Sequence, residues 1–401
     1  MKAPDTSFPG NPVERVPHPP GATCAVADDP LTVRCPGGEH GAPALTGRRL
    51  LALRPDCVSS NAGRFPKRFI AELASLTVER GAFRAAATST NMTRSLAQAL
   101  LAYPLFFAPV PPPSRTPPHR VAERVEEVAR LIEQTPRIDA IDVPELVDEN
   151  HEGRPRYRTD DPRTYGRTIA ERTGLEVIVN KVVAHLESHA ALEAWAQETV
   201  RLGVRHAVLV GGTSRFIPYP GPPVAEANRV VRPILAGSNG LLGNISIPQR
   251  RGEAHRMVSK TRAGASFFTT QLLFAPEAIS ETVASYDKLC RQAEISPATV
   301  ILSFAPVADE TDIEFVRWLG ADVPEESERR LMNGDDPNTS VRCIALAREV
   351  WELVSQRAAD DQLRVPLGIN IEQVSPRHLD GAREMLTAFV DCLPRTNGTG
   401  N

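Results

Sequence analysis

Residues 203–212 read GVRHAVLVGG, and this short stretch decides the fold. Its apolar run is continuous rather than alternating, and it is closed by glycines. A strand wetted on one face alternates polar and apolar residues, whereas a continuous run suits a strand covered on both faces, as in a parallel sheet. Gly203 stands where a preceding helix would end in the left-handed conformation. Upstream of it lie LFFAPV at 105–110, RIDAIDV at 137–143 and LEVIVNKVV at 175–183. Downstream come LLGNISI at 241–247, SFFTTQLLF at 266–274, TVILSFAPV at 299–307 and VPLGINIE at 365–372.

Helical patterns separate these eight runs. Val121, Val125, Val128, Leu131 and Ile132 recur at helical spacing and form one apolar stripe. Asp161-Pro162, Asp336-Pro337 and Ser375-Pro376 each put a capping side chain before a proline suited to the first helical position. Gly174, Gly264 and Gly320 sit like Gly203, just past a helix. Eight strand-helix units predict a (β/α)8 TIM barrel over residues 104–393. A doubly wound open sheet would carry a glycine-rich phosphate loop after its first strand. Here that position reads PPPSRTPPH at 111–119, which cannot form one.

With 401 residues, there is room for one barrel and an appendage. Charge nearly balances, 46 Lys+Arg against 49 Asp+Glu, so the basic excess of a nucleic-acid binder is absent. No apolar run is long enough for a membrane span, and the first twenty residues lack the apolar core of a secretory leader. The expectation is a cytoplasmic protein with free thiols. Many of the 36 prolines lie early in the chain. Residues 1–103 read as an irregular, Pro-rich N-terminal arm, with a short strand at 50–53 and helical segments within 66–101. Residues 394–401 read as a disordered tail. Cys24, Cys35, His40 and Cys57 lack the close Cys-x-x-Cys pair of a zinc site, so no metal is expected.

In such a barrel, chemistry belongs at the C-terminal ends of the strands. The residues this selects are Asp142, Glu145, Asn180, Lys181, Gly211 to Arg215, Gln249 to Glu253, Gln271, Asn370 and Glu372. Arg215, Arg250 and Arg251 offer guanidinium forks suited to carboxylates, so an anionic substrate is expected. Lys181 could meet a substrate carboxylate, form a Schiff base or stand as a rim cation. Nothing near it suggests the depressed pKa that Schiff-base work needs.

Several strand ends together resemble the methylenetetrahydrofolate reductases. TTQLLF (269–274) is similar to their sixth strand, AVLVGG (207–212) to the fourth and ILSFAPV (301–307) to the seventh. With IPQRRGE (247–253) and PLGINIE (366–372), the likeness is nearer to the flavin-independent branch and covers roughly residues 104–393. It implies reduction of 5,10-methylenetetrahydrofolate to 5-methyltetrahydrofolate, with NADH or NADPH as hydride donor and no FAD. It also implies that Gln271 hydrogen-bonds the pterin; a buried amide satisfied by neighbouring backbone is the alternative. Asn180, Lys181, Arg215 and Arg250 are the further substrate-binding candidates.

Two departures stand beside these matches. The family ends its first strand with a glutamate, and this chain reads Phe106-Phe107-Ala108-Pro109, with Ala108 or a neighbour in that place. The flavin-side acid after the fourth strand is replaced by Val210-Gly211-Gly212-Thr213. An alanine transfers no proton, so Glu372 is the candidate general acid, with Asp142 or Glu145 in reserve. A salt bridge from Glu372 to Arg250 is the competing reading. Two other functions fit the same sequence: a folate-dependent one-carbon transferase or demethylase, and a catalytically degenerate barrel that binds folate or a partner protein.

Overall fold

The eight apolar runs become eight parallel strands closed into a barrel. The computed structural model describes residues 94–393 except 136, 151, 215, 335 and 337. In chain order the strands are β1 (Leu105–Ala108), β2 (Ala140–Val143), β3 (Val147–Glu149), β4 (Pro155–Tyr157), β5 (Glu176–Val182), β6 (His206–Val210), β7 (Leu242–Ser246), β8 (Phe267–Thr270), β9 (Thr299–Phe304) and β10 (Leu367–Glu372). β1 pairs with β2 on one side and β10 on the other, which closes the ring. β3 and β4 form a separate antiparallel hairpin that the sequence reading did not anticipate.

Helices follow the barrel strands and bury their apolar stripes against them. In Pro118–Gln134 the buried residues include Val125, Val128, Leu131 and Ile132, as the spacing predicts. Asp161 caps Pro162–Thr173 by accepting from the Arg163 N–H at 2.9 Å, and Gly174 ends that helix at φ 74°. The expected cap at Asp336 needs correction. Asn338 caps Thr339–Asp360, accepting from Ser340, while Asp336 accepts from the Asn338 N–H in the preceding turn. Ser375 precedes a 3-10 turn, Pro376–His378, that leads into Leu379–Val390, but its hydroxyl pairs with His378 Nδ1 at 2.9 Å instead of capping a backbone N–H. No helix among the described residues is long and apolar enough to cross a membrane.

Alternate side chains of each strand point into the barrel, and they sort into two levels. The lower level is apolar: Phe106, Ala140, Ile178, Val208, Phe267 and Ile301 pack together, with Phe106 and Phe267 edge to face at 6.1 Å. Fully burying a side chain of this size contributes about 1.5–3 kcal/mol. Gly243 makes room for this level, since a Cβ there would lie 2.5 Å from the Phe267 ring. The upper level is largely polar and faces the C-terminal mouth.

A four-residue helix, Leu96–Ala99, plugs the floor. Leu96 and Leu100 join the lower apolar level. The Leu96 N–H donates to Glu176 at 2.5 Å, and Thr299 donates to the Leu100 carbonyl at 3.0 Å. Arg94 binds Asp139, which also accepts from the Leu105 N–H. The boundary expected at 103/104 therefore falls between a helix and a strand that share one core. The strand expected at 50–53, the first helical segment of 66–101, Cys24, Cys35, His40, Cys57 and the 394–401 tail lie outside the described residues.

Candidate functional site

Going one step further along each strand from the lower level gives the polar level. From Ala140 it reaches Asp142, from Ile178 it reaches Asn180, and from Phe267 it reaches Thr269. From Ile301 it reaches Ser303, and Asn370 pairs in register with both Ser303 and Phe106. On β2, β5, β8, β9 and β10 the inward residue of the upper level is polar, while β1, β6 and β7 place Ala108, Val210 and Ile245 there. Asp142, Thr269, Ser303 and Asn370 are all buried.

Ala108 pairs in register with Glu372. The β1–β2 register, continued one residue beyond Phe107↔Ile141, brings Ala108 beside Asp142. Two carboxyl groups thus flank Ala108. Glu372 is half-buried and accepts from Asn370 Nδ2 at 3.2 Å. Burial pushes its carboxyl up to about 7, against hydrogen bonds from Ser303 and Asn370 that act to lower it. Asp142 is raised well above the ordinary carboxyl range, first by burial and then by the charge of Glu372. Both shifts favour the protonated form of the carboxyl, the direction that a general acid working near neutral pH requires. The expected bridge from Glu372 to Arg250 does not form. Arg250 lies exposed in the turn after β7, with its backbone N–H donating to Ile247.

The other candidates divide between the mouth and its surroundings. Asn180 lines the mouth. Lys181, one residue on, turns to the outer face of the barrel, where its Nζ meets Glu145 Oε1 at 2.7 Å and lies 5.4 Å over the Tyr157 ring. Glu145 also accepts from the Val182 N–H, so this acid is held outside the polar level. Gln271 follows the last residue of β8; its Nε2 donates to the Leu319 carbonyl, and its Oε1 accepts from the Leu272 N–H. That is the arrangement of an amide satisfied by backbone. Arg215 lies outside the described residues. No group of three or more His, Cys, Asp or Glu among the described residues is placed to hold a metal.

The residues just after the β3–β4 hairpin touch segments that follow β1 and β9. Pro113 bridges to Thr159, and Arg158 lies 5.2 Å over the Trp318 ring at the end of the helix that follows β9. A second cluster lies at the β5 and β6 ends. There Glu149 accepts from Tyr219 and Thr213 and faces His185 Nε2 at 3.0 Å.

Sequence reasoning passed over Thr269 and Ser303 and held Asp142 only in reserve. The signal was available: each is a polar residue two positions from an inward apolar one in an otherwise apolar run.

No family model and no curated protein matches this chain. Among solved structures, the fold is similar to an uncharacterized protein from Clostridium thermocellum that binds two copies of 5-methyl-5,6,7,8-tetrahydrofolic acid. The identity is 17%, covering 74% of this chain and 99% of that one, with a TM-score of 0.60. Orotidine 5'-phosphate decarboxylase from Pyrococcus horikoshii OT3 aligns with a TM-score of only 0.35 at 9% identity, over 71% of this chain and 99% of that one, too slight to carry an argument.

Proposed function

We propose that this barrel binds a folate derivative in its C-terminal mouth and reduces 5,10-methylenetetrahydrofolate to 5-methyltetrahydrofolate, taking hydride directly from NADH or NADPH without FAD. The observation that carries the reading is the carboxyl pair: Glu372, held to about 7, beside Asp142 and across Ala108. Binding of 5-methyltetrahydrofolic acid by the Clostridium thermocellum protein of similar fold adds support.

The chemistry asks for one proton before one hydride. Protonating a bridge nitrogen of the methylene ring lets the ring open to an iminium, whose carbon then accepts hydride and becomes the methyl group. Glu372 in its neutral form supplies that proton from inside the mouth, and Asp142 resists ionisation beside it. Asn180 contacts the ring from β5, and Arg250, exposed beyond β7, meets a carboxylate of the substrate's tail. Lys181 takes part only by leaving Glu145.

The test is NADH or NADPH oxidation dependent on methylenetetrahydrofolate, with an absorption spectrum of the purified protein for flavin. Folate-dependent oxidation with no flavin spectrum is the expected result. Folate binding with no oxidation at all overturns the reductase reading. Ala108 then favours one-carbon transfer without hydride on the same barrel.

A further inference from the structure

Charge is unevenly placed along this barrel. From Val224 to Arg262, six arginines and one lysine stand against two acids, a balance of +5. From Asp309 to Asn333, eight acids stand against three arginines, a balance of −5. The whole chain sums to only −3, so these are opposite local excesses.

The cations frame a groove of about 510 Å³ among the helices Val224–Ala236, Glu253–Arg262 and Glu277–Gln292. Its lining includes exposed Arg229, His255 and Arg262 and the more buried Val258, Leu289 and Ala293. No carboxylate among the described residues lines it, and the side chains of Arg229 and Arg262 form no hydrogen bond or ion pair there. Arg232 adds a third guanidinium, its stem lying against Gly264 just beyond Arg262.

The acidic excess presents a helix face. Glu310, Glu314 and Trp318 recur four residues apart on the helix Glu310–Trp318 and share one side of it. Both glutamates are exposed, and neither forms an ion pair among the described residues. Like charges one turn apart repel each other, and an incoming cation relieves both. Trp318 is 54% exposed although it is held in place. Phe315 stacks on it with ring centroids 5.7 Å apart, and Arg158 lies 5.2 Å over its ring. A large aromatic side chain already ordered and still open to solvent suits the anchor of a protein contact.

We propose that the groove receives this helix face from a second copy of the chain, with Trp318 on the apolar floor and Glu310 and Glu314 against Arg229 and Arg262. One chain supplies both halves, opposite in charge. A nucleic acid would also answer to arginines, but no aromatic side chain among the described residues lines the groove for a base to stack on. The two surfaces differ, so the contact is heterologous, the groove of one copy to the helix of the next. It is independent of what the mouth binds.

Sedimentation velocity of the full chain over a range of concentrations, at about 0.05 M and about 0.5 M salt, reads the association. The parent should associate at low salt and at least about tenfold more weakly at high salt, because exposed charge pairs are screened. Two charge-reversal variants, Arg229→Glu with Arg262→Glu and Glu310→Lys with Glu314→Lys, should each stay monomeric. Mixed together they should associate again, since the first keeps its acidic helix and the second keeps its groove. Trp318→Ala leaves every charge in place and should weaken association at least about tenfold. Thermal melts matching the parent establish that each variant is folded; where a reversal variant melts early, Trp318→Ala and the salt dependence decide. A parent that stays monomeric at low salt, reversal variants that associate as the parent does, or a mixture that stays monomeric overturns the proposal. So does a monomeric parent that binds a poly(U) RNA and loses it with Arg229→Glu and Arg262→Glu, which assigns the groove to nucleic acid.

Discussion

Replacing Glu372 by glutamine should change how the stability of the fold depends on pH, and the size of the change follows from the site. Below about pH 4.5 this carboxyl is neutral in both folded and unfolded chains. As pH rises, the unfolded chain ionises first, while the folded one keeps its proton until about 7. The native state binds more protons throughout that window, so native stability falls as pH rises through it and then levels off. A rise from 4.5 to about 7, at about 1.4 kcal/mol per tenfold change in acidity, is on the order of 3 kcal/mol. Because Glu372 is only half-buried, screening by solvent brings this nearer to about 1–3 kcal/mol. Glu372→Gln keeps the shape and cannot ionise, so it should match the parent at pH 4 and exceed it by about that amount at pH 8.5. Asp142 should move in the same direction, because the variant removes the charge that helps hold it neutral. Urea melts of parent and variant at both pH values make the measurement. Parallel pH profiles for the two proteins would refute the argument, since they would mean that Glu372 titrates alike folded and unfolded.

In an enzyme that turns over, the same Glu372→Gln change should cost about 10²- to 10⁴-fold in kcat with little effect on substrate affinity, and steady-state kinetics checks both. Glu145→Gln leaves Lys181 buried without its counter-charge and should destabilise the fold by about 3–5 kcal/mol; a loss below 1 kcal/mol in a urea melt would show that the pair is effectively solvated. Leu96→Ala removes a fully buried side chain from the barrel floor and should cost about 2–5 kcal/mol, again read by urea melt. Gly243→Ala drives a methyl into the Phe267 ring and should lower the melting temperature, whereas Gly174→Ala meets no side chain and costs only its left-handed backbone.

The barrel was legible because its strands are covered on both faces and so appear as continuous apolar runs that need no partner to be recognised. Gly174, Gly203 and Gly264, all at positive φ, punctuate them. The hairpin gave no such signal: Val147–Glu149 and Pro155–Tyr157 are three residues each, half-buried in the first and exposed in the second, so neither run carries an apolar period. The site was half-legible for a different reason. Strand order pointed to Glu372, but only the register reveals that Asp142 and Glu372 stand on either side of Ala108. Lys181 shows what one residue decides: it follows Asn180 directly, and alternation sends one side chain into the mouth and the other out toward Glu145. A motif likeness carries residue identity and says nothing about which neighbour holds the side chain, and Gln271 is the example, with Leu319, just past the helix Glu310–Trp318, as its partner.

Ring closure through β1 and β10 has a consequence for how this protein is made. The first strand leaves the ribosome before any of the other seven, and the partner on its other side, β10, is the last to emerge. Until then two strand edges carry open hydrogen-bonding groups, and the floor helix covers an interior whose wall is incomplete. Contacts of such wide sequence separation are slow to form, because the chain between them must be ordered first. The barrel is thus most exposed to misassociation between nascent chains during the interval before its final strand arrives. A chain shortened by even its last strand should aggregate rather than fold into a smaller sheet.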